Sequence, residues 1–217
     1  MNKIASVSIA FLTLFSFSCH RSTAPKDSNE LQSFSTLRID YETHANYGGI
    51  ETVSKETHWV DLKNKRTATQ IQSETKGMGI NQKEEQLNIE DGDWVYSIDL
   101  VNQTGTRMNM AQFKEMAKAM GQFIQPDFDN LEEFVKQNGG KMLPNDTFLG
   151  KDCTVFEVFG TKQWLYKGQV LKVEMNGQVM RQAVRIEENI TIPEDVFKIP
   201  EGIKIEDASM EEKESQE

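Results

Sequence analysis

From Thr36 onward, polar and apolar side chains alternate. Single polar residues separate Leu37, Ile39 and Tyr41, the period of a strand with one wet face. Tyr47-Gly48-Gly49 interrupts the run as a turn. A second alternation over 53–62 ends in His58-Trp59-Val60-Asp61-Leu62, and Asn64-Lys65 supplies a hairpin turn into 66–75, where Thr67, Thr69 and Ile71 alternate. The segments 86–90 and 94–100 flank Asp91-Gly92, a strong hairpin signal, and 102–105 turns the chain into Arg107-Met108.

The period changes at Asn109. Met110, Phe113, Met116, Ala117, Met120 and Phe123 fall three and four apart, the spacing of one helix face, with Asn109 as N-cap and Pro126 as stop. Phe128, Leu131, Phe134 and Val135 predict a second, shorter helix, capped by Asp127 or Asp129 and ended by Gly139-Gly140. Strands return over 154–159, 162–166, 170–175 and 178–187, joined by the turn dipeptides Gly160-Thr161, Lys167-Gly168 and Asn176-Gly177. Pro193 and Pro200 place the closing segment at a sheet edge or wrapped over the surface. Strands, two helices, then strands predict an α+β fold. It is a curved antiparallel sheet, an incomplete β-barrel, whose apolar face is covered by two mid-chain helices.

Residues 1–19 have another character. Lys3 precedes an apolar run over 4–17, too short for a comfortable bilayer span and followed at once by His20-Arg21, which reads as a secretory signal. Its end resembles a bacterial lipoprotein box, with Ser18 directly before Cys19 and Leu14, Phe15 and Phe17 upstream. Ser16 stands where that pattern commonly has Leu. The resemblance implies cleavage before Cys19, a diacylglyceryl thioether on its sulfur and, because His20 and not Asp follows, placement at the outer membrane. Ser16-Phe17-Ser18 also suits an ordinary small-x-small cut, which leaves a soluble periplasmic or secreted form as the alternative. Acylation would matter physically, since each buried methylene contributes about 0.8 kcal/mol and two or three chains anchor durably. The organisation expected is a signal over 1–18, a polar tether over 19–35, a folded domain over 36–206 and an acidic tail over 207–217.

Composition narrows the function. The 217 residues carry 24 Lys plus Arg against 34 Asp plus Glu, a formal charge of −10, which argues against nucleic acid as a partner. Two cysteines and three histidines are too few for a disulfide framework or a Cys-rich zinc module. Met78, Met108, Met110, Met116 and Met120 could hold Cu(I), but the helical spacing of several of them reads as a soft core stripe. Cys153 has no histidine near it in sequence and reads as a structural thiol. His44 and His58 lack the spacing of a metal site. The pairs Glu84-Glu85, Glu132-Glu133 and Glu187-Glu188 read as solubilising charge. No P-loop, nucleophile elbow or dinucleotide fingerprint is present. The expectation is a non-enzymatic protein with no cofactor and no metal.

Three stretches carry a further resemblance: FLGKDCTVFEV, then KQWLYKGQVLKVEM, and the ending DVFKIPEGIKIE. With the order of elements, they make residues 36–206 resemble the superfamily of outer-membrane lipoprotein carriers and insertion receptors (LolA/LolB-like), in particular its exported relatives. The resemblance implies a hydrophobic cavity between sheet and helices that holds an acyl chain. Trp94, Met110, Phe113, Met116, Met120 and Phe123 are the residues expected to line it. Partners would be the membrane, through the lipid on Cys19, and a hydrophobic ligand. The alternative is an envelope interaction protein with a filled core that binds a protein partner through its outer surface.

Overall fold

The structure, a computed structural model, describes residues 34–112 and 130–208. The predicted signal, Cys19, the acidic tail from residue 209 and most of the first predicted helix lie outside them. Strands dominate: β1 (Thr36–Tyr47), β2 (Ile50–Asp61), β3 (Arg66–Gly77), β4 (Ile80–Asp91), β5 (Trp94–Asp99) and β6 (Thr104–Asn109) precede a seven-residue helix α1 (Leu131–Gln137). After it come β7 (Lys141–Phe148), β8 (Lys151–Val158), β9 (Thr161–Tyr166), β10 (Gln169–Met175) and β11 (Gln178–Glu188). A 3-10 turn (Glu194–Phe197) and β12 (Lys204–Asp207) close the described chain.

All twelve strands belong to one sheet, ordered β12-β6-β5-β4-β3-β2-β1-β11-β10-β9-β8-β7. Neighbours are antiparallel except β12, which runs parallel to β6, so the sheet is mixed and open, with β12 and β7 as its edges. Tight turns set the registers. Lys65, Met78, Phe159, Lys167 and Asn176 each occupy a left-handed conformation at a strand-to-strand turn. Gly77 cannot be replaced cheaply: its φ is +126°, and a Cβ there would lie 2.1 Å from the Gly49 carbonyl oxygen of the neighbouring hairpin. The edge strand β7 contains Pro144 and a register shift between Leu143 and Asp146, which blunt it against further pairing.

Strand alternation separates two faces. On one, side chains from strands two or three apart converge, so this face is concave. Tyr41 Oη on β1 donates to the Val170 carbonyl on β10, and Lys151 at the start of β8 reaches Glu188 on β11. Leu37, Ile39 and Val60 from β1 and β2 join Cys153, Val155, Trp164, Leu171 and Ala183 from β8–β11 in a single buried cluster. Leu37, Ile39, Val60 and Leu171 are each 0% exposed, so the hollow side of this half holds a closely packed apolar cluster.

The opposite face has two covers. The segment after β11 crosses β2–β6 as a strap, and its Ile192 and Phe197 pack with Ala68, Leu87, Ile89 and Ile98. Arg66 clamps it: the guanidinium lies 4.1 Å from the Phe197 ring centroid and donates twice to Glu194, at 2.7 and 2.6 Å. Helix α1 covers the other half, setting Leu131 and Val135 on Phe156, Val158 and Leu165. Gly140 permits this approach, because a Cβ there would lie 2.2 Å from the Glu157 carbonyl oxygen and 2.9 Å from Val135 Cγ1.

The expected α+β class is therefore corrected. The described residues are mostly β and form one mixed, open sheet, not a wholly antiparallel one, and the helix among them covers only part of one face. The second predicted helix exists but is short, and it sits on the convex side of β8 and β9. The chain is helical over 110–112, where description stops. Among the described residues, the apolar faces are covered by the bending of the sheet, by the strap and by α1. The closing segment does wrap the surface, and it then adds a parallel edge strand. Among the described residues, no helix is long and apolar enough to cross a membrane.

Candidate functional site

The concave face changes character along the sheet. Over β1 and β8–β11 it is the apolar cluster just described. Its middle carries charge. Arg181 on β11 lies with its guanidinium carbon 3.4 Å from the Tyr41 ring centroid and donates to both Glu56 carboxylate oxygens, at 3.1 and 2.7 Å. Burial, which outweighs the nearby guanidinium, pushes the Tyr41 phenol up to about 12. His58, two residues along β2, shares a hydrogen bond of 2.8 Å between Nδ1 and Thr69 Oγ1. Burial, aided by the Arg181 charge, lowers its imidazole to about 3, so it is a neutral structural group.

Beyond β3 the same face becomes a polar surface. The registers place Gln86, Asp99, Thr104 and Lys204 opposite one another across β4, β5, β6 and β12. A second row one pleat away holds Thr69, Asn88, Ser97, Thr106 and Glu206. Members of both rows, Gln86, Ser97, Asp99, Thr104, Thr106, Lys204 and Glu206, line an open cleft of about 420 Å³ together with Ile98 and Gly105. Asp99 is held below its usual range by hydrogen bonds from the Asn102 backbone and side chain, which turn the chain between β5 and β6.

At the end of the sheet where β1 begins, Glu188 accepts from Tyr166 Oη at 2.7 Å, Lys151 Nζ at 3.0 Å and Lys167 Nζ at 3.2 Å. Burial opposes ionisation of this carboxyl, but the three donors reverse that and bring it from 4.5 down to about 2. It ties β8, β9 and β11 together.

Of the expected cavity-lining residues, Phe113, Met116, Met120 and Phe123 lie outside the described residues. Trp94 alternates with Tyr96 and Ile98, which puts it on the convex face; it is 37% exposed, with the Arg107 guanidinium carbon 4.8 Å from its ring centroid. Met110 follows β6, and its backbone N–H donates to the Asp93 carbonyl at 2.8 Å. Met78 is exposed at the β3–β4 turn, while Met108 stands on β6. His44 and His58 are an even number of residues apart on paired strands, but their registers (His44 with Val53, His58 with Ile39) put them on opposite faces. Cys153 is fully buried, and burial raises its thiol, away from the reactive thiolate. Among the described residues, no group of three His, Cys, Asp or Glu could hold a metal ion.

The polar rows escaped the sequence reading because no catalytic or ligand motif links residues 86, 97, 104, 106 and 204. Only the register of four strands brings them together. The Glu187-Glu188 pair splits between faces: Glu187 meets Arg185 outside, and Glu188 is a buried-side hub.

Neither a family model nor a curated protein matches the chain. An uncharacterized conserved protein from Thermus thermophilus is similar in structure at a TM-score of 0.48 and 6% identity, over 83% of this chain and 94% of that one. PNGF-II in two crystal forms gives TM-scores of 0.40 and 0.41 at 12% and 13% identity, over 81% and 80% of this chain. The matches span only 31% and 32% of the PNGF-II chains, about a third of their length. None of these likenesses bears on function.

Proposed function

We propose that the chain is an exported, non-enzymatic protein of the bacterial cell envelope, held at the outer membrane by a lipid on Cys19, whose folded body works by surface recognition. One observation carries the second half of this reading: the apolar part of the concave face is occupied by Leu37, Ile39, Val60, Val155 and Leu171, all 0–1% exposed. A body packed in this way favours binding through its outside over storage of an acyl chain within. The non-enzymatic part rests on a neutral, buried His58, a buried Cys153 and the separation of the histidines on two faces.

Intact-mass analysis of the protein taken from its native membrane tests both halves. The reading expects a polypeptide beginning at Cys19, bearing diacylglycerol and no second lipid. A chain cut elsewhere and unacylated overturns the anchor. A stoichiometric, non-covalent lipid overturns the filled body.

A further inference from the structure

The cleft on the polar half of the concave face is an open hollow of the size of a small ligand, lined mostly by polar residues. Its volume, about 420 Å³, falls in the range of about 300–1,000 Å³ typical of small-ligand pockets. Its walls combine hydroxyls (Ser97, Thr104, Thr106), an amide (Gln86), carboxylates (Asp99, Glu206) and an ammonium (Lys204). Such a set offers both donors and acceptors, as a chain of vicinal sugar hydroxyls does. Among the described residues, no side-chain hydrogen bond occupies the Ser97, Thr104 or Thr106 hydroxyls. They project in register from β5 and β6, so the backbone fixes their spacing.

Charge selects among sugars. Two carboxylates against one ammonium leave the cleft with a net negative charge, and Lys204 is already paired with Glu206. The whole chain carries −10. Both facts repel uronates, phosphates and sulfates. The geometry points to this cleft as a binding site for a neutral oligosaccharide, read by the hydroxyl rows of β5 and β6 and bounded by β12. This deepens the surface-recognition reading and rests on it. The strap gains a second role, because the segment that covers the convex face also delivers Lys204 and Glu206 to the edge of the cleft.

The test is a titration of the 15N-labelled protein with maltotetraose, cellotetraose and chitotetraose at millimolar concentration, with a hyaluronan tetrasaccharide as the anionic comparison. At least one neutral tetrasaccharide should give saturable amide shifts centred on Gln86, Ser97, Thr104, Thr106 and Lys204, and the hyaluronan fragment should give none. The exposed double variant Ser97→Ala/Thr106→Val should keep its melting temperature and bind that sugar about tenfold more weakly or worse. Shifts from none of the neutral sugars, shifts centred elsewhere, equal binding of hyaluronan, or a double variant that binds like the parent would each overturn the site. The anchored, filled body is judged separately by intact mass, so failure of the cleft and failure of that reading are distinguishable.

Discussion

Replacing Glu188 by Gln tests whether charge pins the bend of the sheet. The carboxylate gathers Lys151 from β8, Tyr166 from the end of β9 and Lys167 from the following turn onto β11, and its side chain is 17% exposed. Gln keeps the shape and one acceptor but loses the charge. Lowering a carboxyl from 4.5 to about 2 corresponds to about 3 kcal/mol of stability at neutral pH, since each pH unit is worth about 1.4 kcal/mol. The sign follows from the folded value lying below the unfolded one. The stabilisation is complete above about pH 5, shrinks to about 1.4 kcal/mol at pH 3 and vanishes once the folded carboxyl is protonated. Urea unfolding followed by circular dichroism at pH 7 and pH 3 measures both quantities. Glu188→Gln should cost about 3 kcal/mol at pH 7 and a little under half of that at pH 3. A cost below about 1 kcal/mol at pH 7, the range of an ordinary surface pair, would refute the reasoning. So would a cost that does not change with pH.

Four other outcomes follow from the packing. His58 should remain a neutral imidazole at pH 5 by 15N NMR, and because the unfolded chain takes up that proton first, it should erode stability as pH falls from 6.5 toward about 3; His58→Gln should flatten that part of the pH profile. Arg66→Ala should cost about 2 kcal/mol and raise hydrogen exchange at Ile192 and Phe197, because it removes both the ring contact and the paired bonds to Glu194. Gly77→Ala and Gly140→Ala should each destabilise by about 2 kcal/mol or more, whereas Gly48→Ala, with open space around its Cβ, should cost less; melting curves of the three variants rank them. Cys153 should react with a thiol reagent only at the rate of unfolding, and a rate proportional to reagent would show the thiol to be accessible in the folded state.

The strands were legible wherever one face is dry. Alternation found β1, β2, β3, β5 and β8–β11 with their turns, because burial on one side imposes a period of two on the sequence. It missed the first half of β4, where Ile80-Asn81-Gln82-Lys83-Glu84 is exposed throughout and has no apolar face to mark. It also missed β7, whose Pro144 argues against a strand and is tolerated there because β7 lies at the edge. The helices misled in a different way. An apolar stripe shows that a helix buries one side, but not which side of the sheet receives it or how much of the sheet it covers. Val135 and Leu131 bury their stripe on the convex face of β8, while on the concave face side chains of β1, β2 and β8–β11 pack on one another. Most of the polar cleft was invisible for a simpler reason. Thr104 falls in a predicted turn and Thr106 belongs to no predicted strand, and only register sets them beside Ser97, Asp99 and a strand from the far end of the chain.

The packed interior between β1, β2 and β8–β11 is the feature that separates a surface binder from a container. Methyl NMR of the Leu, Ile and Val side chains, recorded while palmitate is added, reads that interior without assumptions about its ligand. The methyls of Leu37, Ile39, Val60 and Leu171 should keep their shifts at saturating fatty acid. Progressive, saturable movement of those four signals would mean that the sheet opens to hold a chain, and that the body is a container after all.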